Sequence, residues 1–421
     1  MKVKSLSIKD FNQFKDFELD LTYPAGHPKA GLPLDKVCII GQSGTGKTSL
    51  LNKLHVFQRT LHFINPNTKS DQNDNNSLSS TMNPNDSDLG FIKYINSDTN
   101  TQATFFDNGD FVCEDKKYFE KRSPLLASIL IDANTGNQHL SNNLRYWKDI
   151  IKDIVTFREQ EIQKKLEIAE LITTNQERLQ EELANFNEWQ KNMPNPLKDL
   201  ADNFLDKILY KFNLRVRQSL DFKKKEDIET IKIETLEGKE VPNNLLSTGT
   251  KQVILTTLPL YAQKPQGKII LFDEPERSLY PDIQTLIVDF YINLTTDCQF
   301  FFATHSPLIA SCFEPWEIVE LKFKPDGTVY RELYYDAEKG NHVDNYTIDP
   351  RYLRWDSILT RLFDLDKDSN DARTRKLMEL ASLRSKLEKA NGQLSMEEKK
   401  KLYAQFEKLA ELLDWEYDAK N

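Results

Sequence analysis

The residues Gly41-Gln42-Ser43-Gly44-Thr45-Gly46-Lys47-Thr48 satisfy the pattern G-x-x-x-x-G-K-[ST] at every fixed position. Its chemistry is phosphate binding. Glycines let successive backbone N–H groups turn inward around phosphate oxygens. Lys47 would reach the β- and γ-phosphates, the Thr48 hydroxyl would bind Mg²⁺, and the dipole of a following helix favours negative charge. An apolar run, Val37 to Ile40, precedes the loop, and Leu51, Leu54 and Phe57 follow at helical spacing. This strand–loop–helix context is the one the pattern requires, and it argues against an accidental Gly-rich turn.

Three further segments carry candidate chemistry. Ile269 to Phe272 is apolar and runs into Asp273-Glu274-Pro275. A buried strand would thus deliver two carboxylates at its C-terminal end. Asp273 would hold Mg²⁺ through water, and Glu274 would orient or deprotonate an attacking water. Phe300 to Ala303 is a second apolar strand, ending in Thr304-His305-Ser306. A lone His is more often structural than catalytic, but at this strand end His305 suits a γ-phosphate sensor. Leu245-Leu246-Ser247-Thr248-Gly249-Thr250-Lys251-Gln252 leads into a helix, with Ser247 as a cap and Gly249 permitting close approach to a phosphate.

The elements that must position these residues read as α/β. Helical patterns over 252–262 and 281–295 alternate with strands at 268–272 and 299–303, which predicts a largely parallel sheet. Val3, Leu6, Ile8 and Phe11 predict a half-buried first strand, and Phe17 to Leu21 a second. Residues 65–88 are almost wholly polar and predict a surface insertion, and Phe91 to Cys113 returns to strand patterning around Asp107-Asn108-Gly109. From about Tyr146 to Trp189 the chain predicts helix, broken at Pro194 and Pro196 and followed by a second helix over Phe204 to Leu209. A hairpin packed on the body and a short coiled-coil arm both fit. After Thr347 the pattern is helical, and Ser395-Met396-Glu397-Glu398 is a capping box.

Composition sets outer bounds. The 421 residues are 39% hydrophobic and 29% charged, enough for a core and too apolar for wholesale disorder. A net charge of −9 disfavours a generally basic nucleic-acid coat. Four scattered cysteines exclude a zinc ribbon and suit a reducing, cytoplasmic setting. No apolar run is long enough to span a membrane.

The order of phosphate loop, Leu-Ser-x-Gly loop, Asp-Glu-Pro strand and Thr-His-Ser strand resembles the ABC-type ATPase head. The wide gap between the first two motifs and the run Asp273 to Pro281 are similar to one branch. That branch holds the RecF- and Rad50-like repair ATPases and the OLD-like ATPases of bacterial phage defence, including the ATPase components of the PARIS and Septu systems. The resemblance covers roughly residues 1–145 and 213–320. It implies a head with a mixed, largely parallel sheet flanked by helices and an antiparallel β subdomain. It divides the chain into an N-terminal lobe (1–145), a helical insertion (146–212), a C-terminal lobe (213–346) and a helical extension (347–421).

The same resemblance implies that ATP lies between two head-to-tail copies. Ser43 and Ser49 join Gly41, Gly44, Thr45, Gly46, Lys47 and Thr48 around the nucleotide. Ser247, Thr248, Gly249, Lys251 and Gln252 of the second copy close the site, and Ser278 and Leu279 form the D-loop at the seam. Thr248, Thr250 and Tyr280 depart from the usual residues of the branch, and Gln138 is a guess at the Q-loop. Partners implied are a homodimer or higher homo-oligomer and a separately encoded effector, a nuclease or toxin, under nucleotide control. A repair ATPase closing on DNA, a transporter subunit and a nucleotide-stabilised interaction protein remain alternatives. Asp364-Leu365-Asp366-Lys367-Asp368 lacks the strand context of a Toprim metal site and the Gly and Glu of a calcium loop, so no nuclease of the chain's own is expected. Lys223-Lys224-Lys225, followed at once by two acids, reads as a solvated turn.

Overall fold

The computed structural model describes residues 2–63, 90–95, 102–106, 111–113, 128–132, 144–174, 176–219, 231–332, 349–365, 370–389 and 395–415. The polar stretch 65–88, the Asp107-Asn108-Gly109 turn, Gln138, Lys223-Lys224-Lys225 and Asp366 to Asp368 lie outside them. The chain divides into two compact units, Met1–Trp355 and Asp356–Asn421.

The first unit holds the strands β1 (Lys2–Phe11), β2 (Phe14–Asp20), β3 (Lys36–Gly41), β4 (Phe91–Ile95), β5 (Gln102–Phe106), β6 (Phe111–Cys113) and β7 (Ser128–Asp132). It continues with β8 (Leu214–Val216), β9 (Ile233–Thr235), β10 (Glu240–Val241), β11 (Ile269–Asp273), β12 (Gln299–Ala303), β13 (Ile318–Phe323) and β14 (Val329–Arg331). Eleven of them form one sheet in the order β6-β5-β4-β1-β2-β14-β13-β3-β12-β11-β7, while β8, β9 and β10 form a small antiparallel sheet. The half β13-β3-β12-β11-β7 is parallel throughout. The half β6-β5-β4-β1-β2 is antiparallel. The antiparallel strands therefore continue the main sheet edge to edge, through β14, rather than standing apart.

The parallel half has the sequence character of strands buried on both faces. All five residues of β11 and of β12 are buried. Alternation then assigns the faces. Val37, Ile39, Ile269, Leu271 and Phe301 share a core with Leu50, Leu51 and Leu54 of α1 (Lys47–Phe63). On the opposite face Phe272 stacks on Phe302, ring centroids 5.1 Å apart, and on Tyr291, 4.2 Å apart. Each such aromatic contributes roughly 1.5–3 kcal/mol on burial. Helices thus cover both faces. Gln299 stitches β12 to the first strand, accepting from Val3 N (2.7 Å) and donating to the carbonyls of Val3 (3.0 Å) and Leu34 (2.8 Å).

The stretch expected as one long helix folds back on itself. It forms α2 (Leu144–Thr174) and α3 (Gln176–Asn192). Phe157 stacks on Trp189 at 5.1 Å. In one straight helix those residues would stand about 48 Å apart. The base of the hairpin, Ile150, Ile151 and Ile154, shares a core with Leu197, Leu200 and Leu205 and with Ile254 and Leu258 of α4 (Thr248–Gln263). Asn195 caps the short helix after the hairpin, accepting from Leu197 N (3.0 Å), with Pro196 in the first turn. A longer helix, α5 (Pro281–Asn293), follows β11, and its Tyr291 hydroxyl lies 2.6 Å from Thr256 Oγ1.

The second unit contains α6 (Asp371–Lys389) and α7 (Met396–Leu412). Leu380, Phe406, Leu409 and Leu413 form its apolar cluster. The capping box is present: Ser395 Oγ accepts from Glu398 N (3.3 Å), and the Glu398 carboxylate accepts from Ser395 N (2.9 Å).

Glu317, just before β13, is buried. Its Oε2 accepts from Glu314 N (2.8 Å) and lies 3.7 Å from Lys36 Nζ. Burial outweighs the lysine and pushes the carboxyl up to about 7. The unfolded chain therefore releases this proton at a lower pH than the folded one. Stability from this group is full below the ordinary glutamate range and is lost as pH rises through about 7. The loss is on the order of 3 kcal/mol. Glu317→Gln cannot titrate. Its melting temperature should match the wild type near pH 5 and exceed it by several degrees near pH 8. A difference that does not widen with pH refutes the assignment.

Candidate nucleotide-binding site

Register brings the motifs to one edge of the sheet. Asp273 pairs with Ala303, and Ala303 with Ile39, so β11 and β12 end level and β3 runs two residues further to Gly41. The phosphate loop leaves β3 at Gly41, beside Leu321 of β13. It is held by its own groups. The Thr45 hydroxyl donates to Gln42 O at 2.8 Å, and Leu50 N–H donates to Gly46 O at 2.8 Å as α1 begins. Gly46 has a left-handed φ of +87° and is backed by Gln13 and Phe14, so no side chain fits there.

Lys47 is buried, and its Nζ donates to the carbonyls of Gly41 (2.8 Å) and Gln42 (3.1 Å). Burial lowers its pKa to about 8, against the opposing pull of Glu274, Asp273 and Glu276. The charged ammonium is thus partly desolvated and poised to exchange carbonyls for phosphate oxygens. Thr48, at the start of α1, is exposed. Asp273 is buried at the end of β11.

This set fits a triphosphate with Mg²⁺. Thr48 and Asp273 would hold the ion, and Gly41 to Ser49 the phosphates. When bound, Mg²⁺ supplies charge neutralisation at the phosphates. Among the described residues no three His, Cys, Asp or Glu side chains converge as a metal cage. An ion bound mainly by phosphates and water needs none.

The chain turns sharply after β11. Glu274 N–H donates to Ala303 O at 2.8 Å, and Glu274 itself is left-handed at φ +50°. That conformation costs a non-glycine residue on the order of 1–2 kcal/mol. The side chain is half-buried, with Arg277 at 4.0 Å. His305 is exposed. Burial of part of its ring and the nearby Lys47 lower its pKa, against the pull of Glu274. Lys47 is thus within reach of the charge of both acids, and His305 within that of Lys47 and Glu274, so these side chains gather at one end of the sheet.

The Ser247–Gln252 segment sits differently. Ser247 caps α4, accepting from Thr250 N at 3.1 Å, and the helix begins at Thr248, earlier than periodicity predicted. Ser247 and Thr248 are exposed and Lys251 is half-buried. Thr250 is buried with its hydroxyl 2.7 Å from Ser247 Oγ, so this departure from the usual signature serves the cap. Gln252 is also buried, donating to Pro275 O at 2.8 Å. In this chain it braces the turn after β11 and offers nothing to a facing molecule. Gly249 lies against the D-loop. A Cβ there would come within 2.5 Å of Ser278 O, so the glycine serves that close approach inside the chain. Of the two D-loop residues, Ser278 is exposed with φ +62° and Leu279 is buried.

Sequence reading assigned no role to Gln13, Glu276 or Gln284. Gln13, in the β1–β2 turn, donates from Nε2 to Gly44 O at 3.1 Å. Glu276 takes hydrogen bonds from the loop that carries His305, and Gln284 connects that loop to Leu279. Only Glu276 had a signal, its place in the Asp-Glu-Pro-Glu run.

Together the parallel core and this loop define a P-loop domain of the AAA type. The chain belongs to the family described as "AAA domain, putative AbiEii toxin, Type IV TA system", whose profile matches residues 36–311. No curated protein matches the chain. Similar solved structures include three heads of Smc proteins. An Smc head bound to the C-winged helix domain of ScpA is 15% identical, with a TM-score of 0.40, over 79% of this chain and 97% of that one. An Smc head domain with an extended coiled coil, bound to the C-terminal domain of ScpA derived from Pyrococcus furiosus, is 14% identical, with a TM-score of 0.41, over 80% and 97%. The SMC head domain from Thermotoga maritima is 13% identical, with a TM-score of 0.40, over 79% and 98%. Among the described residues no helix is long and apolar enough to cross a membrane.

Gly249→Ala should displace the Ser278 carbonyl and destabilise the protein by about 1–3 kcal/mol. Denaturant unfolding measures this, and an unchanged midpoint would show that the two loops do not pack as described.

Proposed function

We propose that the chain binds and hydrolyses ATP with Mg²⁺, and that ATP bridges two head-to-tail copies. The observation that carries the nucleotide reading is Lys47. A buried ammonium satisfied by two carbonyls of its own loop, with acids at the neighbouring strand end, is the arrangement a triphosphate would complete. Glu274 would orient or deprotonate the attacking water and His305 would sense the γ-phosphate. The exposed Ser247 and Thr248, at the positive end of a sixteen-residue helix, suit a phosphate presented by a second copy. Association would then follow nucleotide state, as a switch whose two forms differ in affinity for ATP.

The family description names a putative toxin of a type IV toxin–antitoxin system. It supports a defence role. Control of a separately encoded effector by nucleotide state is our further reading of that role.

Lys47→Ala should weaken ATP binding at least about 100-fold, and Glu274→Gln should retain binding while losing turnover roughly 100-fold or more. With ATP, the Glu274→Gln protein should elute as a dimer or larger and the Lys47→Ala protein should not. Full affinity in Lys47→Ala refutes the site. Cleavage of DNA or RNA by the purified chain refutes the separate effector.

A further inference from the structure

The loop after β12 carries His305, and groups outside it hold it to the turn after β11. Its anchor is Glu276, whose carboxyl is buried. Oε1 accepts two hydrogen bonds, from the Thr304 hydroxyl at 2.5 Å and from His305 N–H at 3.1 Å. Thr304 Oγ1 in turn accepts from Ser306 N–H at 2.9 Å. The Ser306 hydroxyl donates to Gln284 Oε1 at 2.6 Å, and Gln284 Nε2 donates to Leu279 O at 2.8 Å. Gln252 holds the carbonyl of Pro275, immediately before Glu276. One polar network therefore joins the histidine loop, the D-loop turn and the helix begun by Ser247. Glu276 is the node at which the first two meet.

The other carboxyl oxygen points away from a stability role. Among the described residues Glu276 Oε2 is buried with no hydrogen-bond partner. A carboxyl kept in such surroundings costs stability that a neutral side chain of similar size would not. Burial raises its pKa, against the bonds from Thr304 and His305. A group retained at that cost, one hydrogen bond from a site residue's backbone, marks a functional constraint.

We propose that Glu276 is a positioning residue for His305. Its Oε1 sets the backbone of residues 304–305, and with it the imidazole at the sheet edge shared with the phosphate loop and Glu274, and links that placement to the D-loop through Thr304, Ser306 and Gln284. The role rests on the proposed ATP hydrolysis.

The test uses the full chain as wild type, Glu276→Ala, Glu276→Gln, His305→Ala and the Glu276→Ala/His305→Ala double variant. Glu276→Ala should lower kcat roughly 10- to 100-fold while the Kd for ATP stays within about twofold. Glu276→Gln should recover most of kcat, because the amide carbonyl accepts the same two hydrogen bonds. In the His305→Ala background, Glu276→Ala should cost nothing more. Wild-type kcat in Glu276→Ala overturns the proposal. So does Glu276→Gln as slow as Glu276→Ala, which would make the charge itself the working part, and so do independent losses in the double variant. Should Glu276→Ala fail to fold, Thr304→Val removes one of the bonds at similar size and should lower kcat by about tenfold with ATP affinity kept. Unchanged turnover there overturns the proposal equally. Hydrogen exchange at the His305 amide reads the anchor without turnover: it should quicken in Glu276→Ala and stay slow in Glu276→Gln. A wild type that hydrolyses no ATP refutes the ATPase reading alone, and unchanged exchange in Glu276→Ala refutes the anchor.

Discussion

The shared register of three parallel strands is the constraint on which the site depends. Because β3, β11 and β12 pair in register, Gly41, Asp273 and Thr304 emerge from one edge of the sheet. Nothing else in the sequence forces residues more than two hundred positions apart to meet. A slip of one residue in either pairing would turn the strand's side chains to the opposite face and move the acid pair off the phosphate loop. The register is secured by burial on both faces, through the α1 cluster on one side and the Phe272, Phe302 and Tyr291 rings on the other. The core's packing therefore sets the site's geometry directly.

Much of this was legible in the sequence, for a physical reason. The parallel strands are short unbroken apolar runs ending in polar residues, so pattern and motif mark the same boundary. That pattern marks Lys47, Asp273, Glu274 and His305, and the capping box marks Ser395. The sequence pattern was silent where the determining contact is a single hydrogen bond between distant residues. Gln13 on Gly44 and Gln252 on Pro275 leave no period and no spacing behind, and the Asp-Glu-Pro-Glu run marks Glu276 without its bond to Thr304. The hairpin expected in the insertion reverses between α2 and α3 rather than at Pro194 and Pro196, for a related reason. Both helices keep the same 3.6-residue rhythm, and the reversal between them carries no proline or glycine near Thr174 to mark it.

The supporting parts share a mode of action. Gly249, Gln252 and Gln284 each act by contact with backbone, taking up or bracing a carbonyl in the turn after β11. A turn held by its carbonyls keeps its shape while its side chains stay available for other work. This explains how Glu274 and Ser278 are both maintained in left-handed conformations five residues or fewer from a buried strand. The surrounding bonds over-determine the backbone there.

The left-handed backbone at Glu274 also has an evolutionary consequence. At φ +50° the chain itself favours Asn, Asp or Gly over Glu. If Glu274 activates water as proposed, selection for that chemistry holds this position against the local conformational preference. In a lineage where that selection lapses, drift to Asn or Gly would meet no resistance from folding and would leave a sounder but silent protein. Descendants that have given up turnover are to be sought among sequences altered at this residue while the phosphate loop stays whole.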